Sequence, residues 1–176
     1  MAALLGKVVG GLLILGATSY AGWQVGGNYA RRPAELRDLQ TALAVLQTEV
    51  EYGATPLPEA LRSAAAAAGP AVAPLFARTA ERLAAGGGIT PGDAMRSILD
   101  AGLEGAVLRP EDLEVMRALA GVLGASGRED QVRHLALARE RLVALAARAA
   151  EERSRYEKLA RYVGVLSGTA LVLILL

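Results

Sequence analysis

Every acidic residue of this chain, and every basic one except Lys7, lies between Arg31 and Arg161. Two uncharged apolar ends therefore bracket a charged middle. Such runs are at home in lipid, where each charged side chain would cost several kcal/mol. Val8–Gly27 has no charged side chain. At ~1.5 Å per residue it is long enough to cross a hydrocarbon layer about 30 Å thick. Lys7 can snorkel to one interface, and Tyr20, Trp23 and Tyr29 sit toward the other. The second run, Tyr162–Leu176, is shorter. It spans with help from Leu159, Ala160, a snorkelling Arg161 and local thinning of the bilayer.

A cleaved signal peptide competes for the first run, because Ser19-Tyr20-Ala21 is a small-x-small cleavage site. The apolar stretch continues past that site and is followed at once by Arg31 and Arg32, a stop-transfer pattern. Gly6/Gly10, Gly22/Gly26 and Gly164/Gly168 are small-residue pairs that let membrane helices approach closely. Near the membrane, Arg31, Arg32 and Arg37 oppose only Glu35. Arg153, Arg155, Lys158 and Arg161 oppose only Glu157. The positive-inside rule then places the middle in the cytoplasm, with Arg31 and Arg32 expected at lipid headgroups. The expected organisation is an N-terminal transmembrane helix over 1–29, a cytoplasmic helical bundle over 30–161, and a C-terminal transmembrane segment over 162–176.

The middle reads as all-α. Leu36, Leu39, Leu43, Leu46 and Val50 recur at spacings of three and four, a coiled-coil-like seam on a helix from Pro33 to Tyr52. Thr55 as cap and Pro56 at the first turn open a second helix, which stops at Gly69-Pro70. The third helix buries Val72, Leu75, Phe76, Thr79 and Leu83 and stops at Gly86–Gly88. Thr90-Pro91-Gly92-Asp93 is a variant capping box opening a fourth, to about Leu99. Pro110 starts a fifth, with Leu113, Met116, Leu119, Ala120 and Leu123 inward, and Gly124–Gly127 breaks the chain. From about Glu129 onward no proline interrupts the pattern, and the first glycine is Gly164. Leu135, Ala138, Leu142, Leu145, Ala149, Glu152, Tyr156, Leu159 and Val163 keep one rhythm. One long helix is expected, entering the second apolar run and packed antiparallel to the Pro33–Tyr52 helix. The sum is a bundle of about six helices.

Catalytic patterns do not stand out. The chain has no cysteine, which excludes thiol nucleophiles, disulfides and a lipid-modified cysteine. Gly86–Gly88 follows a helix and lacks the lysine and hydroxyl of a phosphate loop. His134 is the only histidine, with no nucleophile evident beside it. Glu49/Glu51 and Glu151/Glu152 diverge on a helix. Glu111, Asp112 and Glu114 sit in a first turn, where acid suits the helix dipole. No metal-ligand spacing appears, and no cofactor is expected. The net charge of +1 and the scattered arginines do not point to nucleic acid.

An ordered set of residues runs through the whole chain. Arg32-Pro33 precedes Leu36, Leu39 and Leu43-Ala44. Glu49, Tyr52-Gly53-Ala54-Thr55-Pro56-Leu57 and Glu59-Ala60 follow. Further on come Leu123-Gly124, Arg128-Glu129, Gln131 and His134, then Tyr156-Glu157-Lys158, Gly164, Leu166-Ser167-Gly168 and the closing leucines. In this set the chain resembles the stage III sporulation protein AB family of endospore-forming bacteria. Ala64–Ala68 and Gly86–Gly88 depart from the family's more charged character. The resemblance implies a subunit of a channel complex between mother cell and forespore, in the outer forespore membrane, with its body in the mother-cell cytoplasm. It implies a helical domain similar to the cytoplasmic domain of the type II secretion inner-membrane platform protein. It also implies a cytoplasmic secretion-type ATPase and other channel subunits as partners.

Three functions follow for comparison. The first is a non-enzymatic platform coupling that ATPase to the channel. Its candidate contact is the corner Tyr52, Thr55 and Leu57, with Arg128 and Glu129 nearby. The second is a membrane-tethered enzyme or ligand-binding domain, which needs a polar pocket, for instance around His134. The third is a scaffold that oligomerises through the long seam helix.

Overall fold

The computed structural model describes residues 30–53, 55–125 and 127–175, with side chains as far as Leu159 apart from Glu157. The expected span Val8–Gly27 lies outside the described residues, and of the second apolar run only helical backbone is described. Among the described residues, no helix is long and apolar enough to cross a membrane. They form six helices and no strand. Helix α1 covers residues 30–52. It is followed by α2 (Leu57–Ala67), α3 (Ala73–Ala84), α4 (Pro91–Ala101), α5 (Pro110–Ala120) and α6 (Arg128–Leu175). The chain divides into two compact units, Arg32–Arg148 and Met1–Arg31 with Ala149–Leu176.

Within the Arg32–Arg148 unit, α2, α3, α4 and α5 each pack on the next. The α1 seam is the spine of the core. Leu36, Leu39, Leu43 and Leu46 are fully buried, as their spacing predicts. Burying each such leucine contributes about 1.5–3 kcal/mol. Four hydrogen bonds set α6 against α1 and the residue that follows it. Arg128 reaches Val50 and Gly53, Arg139 reaches Gln47, and Gln40 reaches Leu142. Rising numbers on α6 meet falling numbers on α1, so the two run antiparallel, as the sequence predicts. Leu135, Ala138 and Leu142 of the long rhythm are buried in this core. In the other unit α6 continues as helix to Leu175, so the helix spans 48 residues without a break. There Tyr156 and Leu159 are exposed.

Several local expectations change. The helix is already formed at residue 30, three residues ahead of Pro33. Thr55 does not cap α2. The residue before that helix is Pro56, which offers no side-chain acceptor, and the Thr55 hydroxyl donates back to Glu49 at 2.9 Å. Leu83 and Leu113 are only half-buried, while Ala80 and Val115 are buried in their place. By contrast, Thr90 does cap α4, accepting from the Asp93 backbone N–H at 3.1 Å.

The tightest backbone approach to a glycine among the described residues lies where α4 begins and α5 ends. A Cβ at Gly92 would collide with the Ala120 carbonyl oxygen, and one at Gly124 would press on the Pro91 ring. Gly124 also has φ +76°, a conformation that disfavours any side chain. Backbone at Ala120 cannot swing away as a side-chain tip can. Gly92→Ala is therefore expected to destabilise the protein by about 1–3 kcal/mol. Thermal unfolding followed by circular dichroism checks this. An unchanged melting temperature would refute the close packing.

Candidate functional site

Helix α1 is held at both ends by arginines, and the two ends differ in character. At its start Arg32 is buried, 4% exposed, and Asp112 at the start of α5 is fully buried. Arg32 donates from Nε and from Nη2 to the two carboxylate oxygens of Asp112, both at 2.9 Å. Nη2 also donates to Glu111 at 2.5 Å. This is the forked geometry that suits a guanidinium to a carboxylate. Asp112 accepts in addition from the backbone N–H of Arg109 at 2.8 Å, which caps α5. One helical turn after Arg32, the buried Glu35 accepts from the backbone N–H of Val107 at 2.7 Å. Two side chains of α1 thus fasten the loop before α5 and the start of α5 itself.

The pKa of Arg32 is raised above its ordinary value. Hydrogen bonding to Asp112 is the largest cause; desolvation opposes it, and the charge of Asp112 and both effects of Glu111 add to it. Stability from a raised basic pKa is complete below the unfolded-state value and is lost only as pH climbs through the folded one. The arginine side of this pair therefore stays charged throughout the neutral range.

Arg32 was expected at lipid headgroups, and that assignment is corrected, because its side chain occupies a core position. Asp112 lies in the first turn of α5 as expected, and the structure adds that it is fully buried there. A signal for this was present. Arg32, Leu36, Leu39, Leu43 and Leu46 continue one three-four rhythm, and so do Asp112, Met116, Leu119 and Leu123. Opposite charges thus stand in register with two apolar seams.

At the other end of α1 the structure brings Arg128 to the corner that follows Tyr52. Arg128, the first residue of α6, donates from Nε to the Val50 carbonyl at 2.6 Å and from Nη2 to the Gly53 carbonyl at 2.7 Å. A cation on the last carbonyls of a helix suits both their lone pairs and the helix dipole. Tyr52 beside it is 79% exposed. Thr55 is turned to Glu49, Leu57 is half-buried as the first residue of α2, and Glu129 is exposed in the first turn of α6. Ala54 lies outside the described residues.

His134 is half-exposed and lies 3.7 Å from Asp130, its neighbour one turn earlier. Among the described residues no group of three histidines, cysteines or carboxylates is arranged to hold a metal ion.

The profile of the stage III sporulation protein AB family matches residues 7–176. This chain belongs to that family. It is 30% identical over 174 residues to the stage III sporulation protein AB of Bacillus subtilis (strain 168), covering 97% of this chain and 99% of that protein. A solved structure of a stage III sporulation protein AB superposes with a TM-score of 0.63 at 29% identity, covering 71% of this chain and 98% of that one. The family match takes in both fastenings of α1.

Removing Arg32 strands a buried carboxylate. Arg32→Met is expected to cost about 3–5 kcal/mol, and Arg32→Met with Asp112→Leu distinctly less. Denaturant unfolding of the two variants decides this; equal losses would mean that the pair is not the coupled unit described.

Proposed function

We propose that this chain is a non-enzymatic platform subunit of a sporulation membrane complex between mother cell and forespore. The observation that carries this reading is the family match over residues 7–176, which includes both apolar ends and the whole helical body. In this reading the two ends anchor the chain in the outer forespore membrane. The body faces the mother-cell cytoplasm and couples a secretion-type ATPase to the channel subunits.

The corner at Tyr52 suits the ATPase contact on physical grounds. An exposed tyrosine on a firmly held turn offers large apolar area with little conformational freedom to lose, which is how interface anchors work. Arg128 keeps that turn in place through two backbone carbonyls. Scaffolding through the long seam is the weaker reading. Leu135 and Leu142 are already buried within one chain and are not available to a second. The charge argument for a cytoplasmic body now stands on Arg31, Arg37 and the basic cluster Arg153–Arg161, without Arg32.

In membranes from sporulating cells, full-length chain with Tyr52→Ala and Glu129→Arg should retain about a tenth or less of the co-purifying ATPase, with an unchanged melting temperature. Undiminished recovery would remove this corner from the contact. Protease added to sealed vesicles should digest the body only when the cytoplasmic face is outward; digestion in the opposite orientation would reverse the topology.

A further inference from the structure

We propose that the groove between α5 and α6 is a second docking surface, and that its occupant is an acidic amphipathic helix of a partner protein. Its floor is Val115, Leu119 and Ala138, its exposed wall is Leu137, and His134 and Arg141 stand at its rim. The site is separate from the Tyr52 corner and does not depend on the contact proposed there.

Two observations carry the proposal. The first is apolar. Leu137 is 43% exposed in the middle of a helix whose buried face is already satisfied against α1. Ala144 follows it on the same exposed face. A partner helix with apolar side chains at i, i+3, i+4 and i+7 has the width and spacing to lie along such a channel.

The second is electrostatic. From Gln131 to Arg148, α6 carries four arginines and one acid, Glu140. Arg139 is occupied by Gln47. Arg133, Arg141 and Arg148 are exposed and have no ion pair or hydrogen bond among the described residues. Arg141 and Arg148 are one heptad apart on the stripe that flanks Leu137. Such a field attracts carboxylates and repels a second copy of the same net-positive stripe. A bilayer surface is the other anionic candidate, but it is flat. It cannot reach Val115 and Leu119, which are only 7% and 3% exposed at the groove floor, whereas a helix side chain can.

The test places a photoreactive amino acid at position 137 of the full-length chain in membranes of sporulating cells, with the crosslinked peptide identified by mass spectrometry. The proposal expects an adduct on a different polypeptide, in a segment where acidic residues flank an apolar stripe of helical spacing. Charge reversal with Arg141→Glu and Arg148→Glu should lower its yield by roughly tenfold or more. An adduct on lipid, on a second copy of this chain or on a segment without that pattern overturns the proposal. So does the absence of any adduct, or a yield unmoved by the reversal. Both arginines are exposed, so melting should be unaffected. If the reversal nonetheless unfolds the chain, Arg141→Gln with Arg148→Gln replaces it, and an unchanged yield there is equally decisive.

Discussion

A guanidinium and a carboxylate buried against each other are a hazard unless their geometry is complete. Taking either ion out of water costs several kcal/mol, and the attraction between them repays it only when the remaining hydrogen-bonding capacity is used. Arg32 and Asp112 meet most of that condition through two parallel bonds at 2.9 Å, with Glu111 on the arginine and the Arg109 N–H on the carboxylate; among the described residues the buried Nη1 of Arg32 makes no hydrogen bond. A slip of α1 by one residue would turn Arg32 off the seam and leave Asp112 uncompensated. The pair thus favours a single register of α1 on α5, where apolar contacts alone would tolerate several.

The fastening at the other end of α1 works by different physics. Among the described residues Arg128 pairs with no acid; it donates to the last carbonyls of the helix, which are short of donors by construction. About 30 Å separates the two ends, at 1.5 Å per helical residue. Between them the leucine seam meets α6, with Gln40, Gln47 and Arg139 providing polar bonds at defined heights. Hydrophobic contact alone is non-directional, so these bonds are what fix the antiparallel stagger. A helix held in this way can present Tyr52 in one place, which the proposed docking role requires.

Much of this was legible in the chain. Three-four spacing located the helices, and Thr90 with Asp93 announced a cap that the structure contains. Antiparallel pairing of the first and last helices was expected because both were read as joining the membrane at the same end, and it is met bond by bond. Thr55 misled because a threonine before a proline has the form of a cap, yet its hydroxyl had a nearer acceptor in Glu49. Arg32 misled because a cation next to an apolar run ordinarily meets lipid. Its place in the seam rhythm, matched by that of Asp112 on α5, was the counter-signal.

The sequence by itself determined an all-helical body, where its helices begin and end to within a few residues, and which faces are apolar. It could do so because periodicity and caps act over three or four residues, within the reach of local chemistry. Only the tertiary structure decided that two ions eighty residues apart share one buried site and that Arg128 closes the end of α1. It alone also showed that Leu83 and Leu113 stay half-buried while Ala80 and Val115 go in. Those outcomes depend on which helix lies alongside which, and burial is conferred by the neighbour, not by the residue.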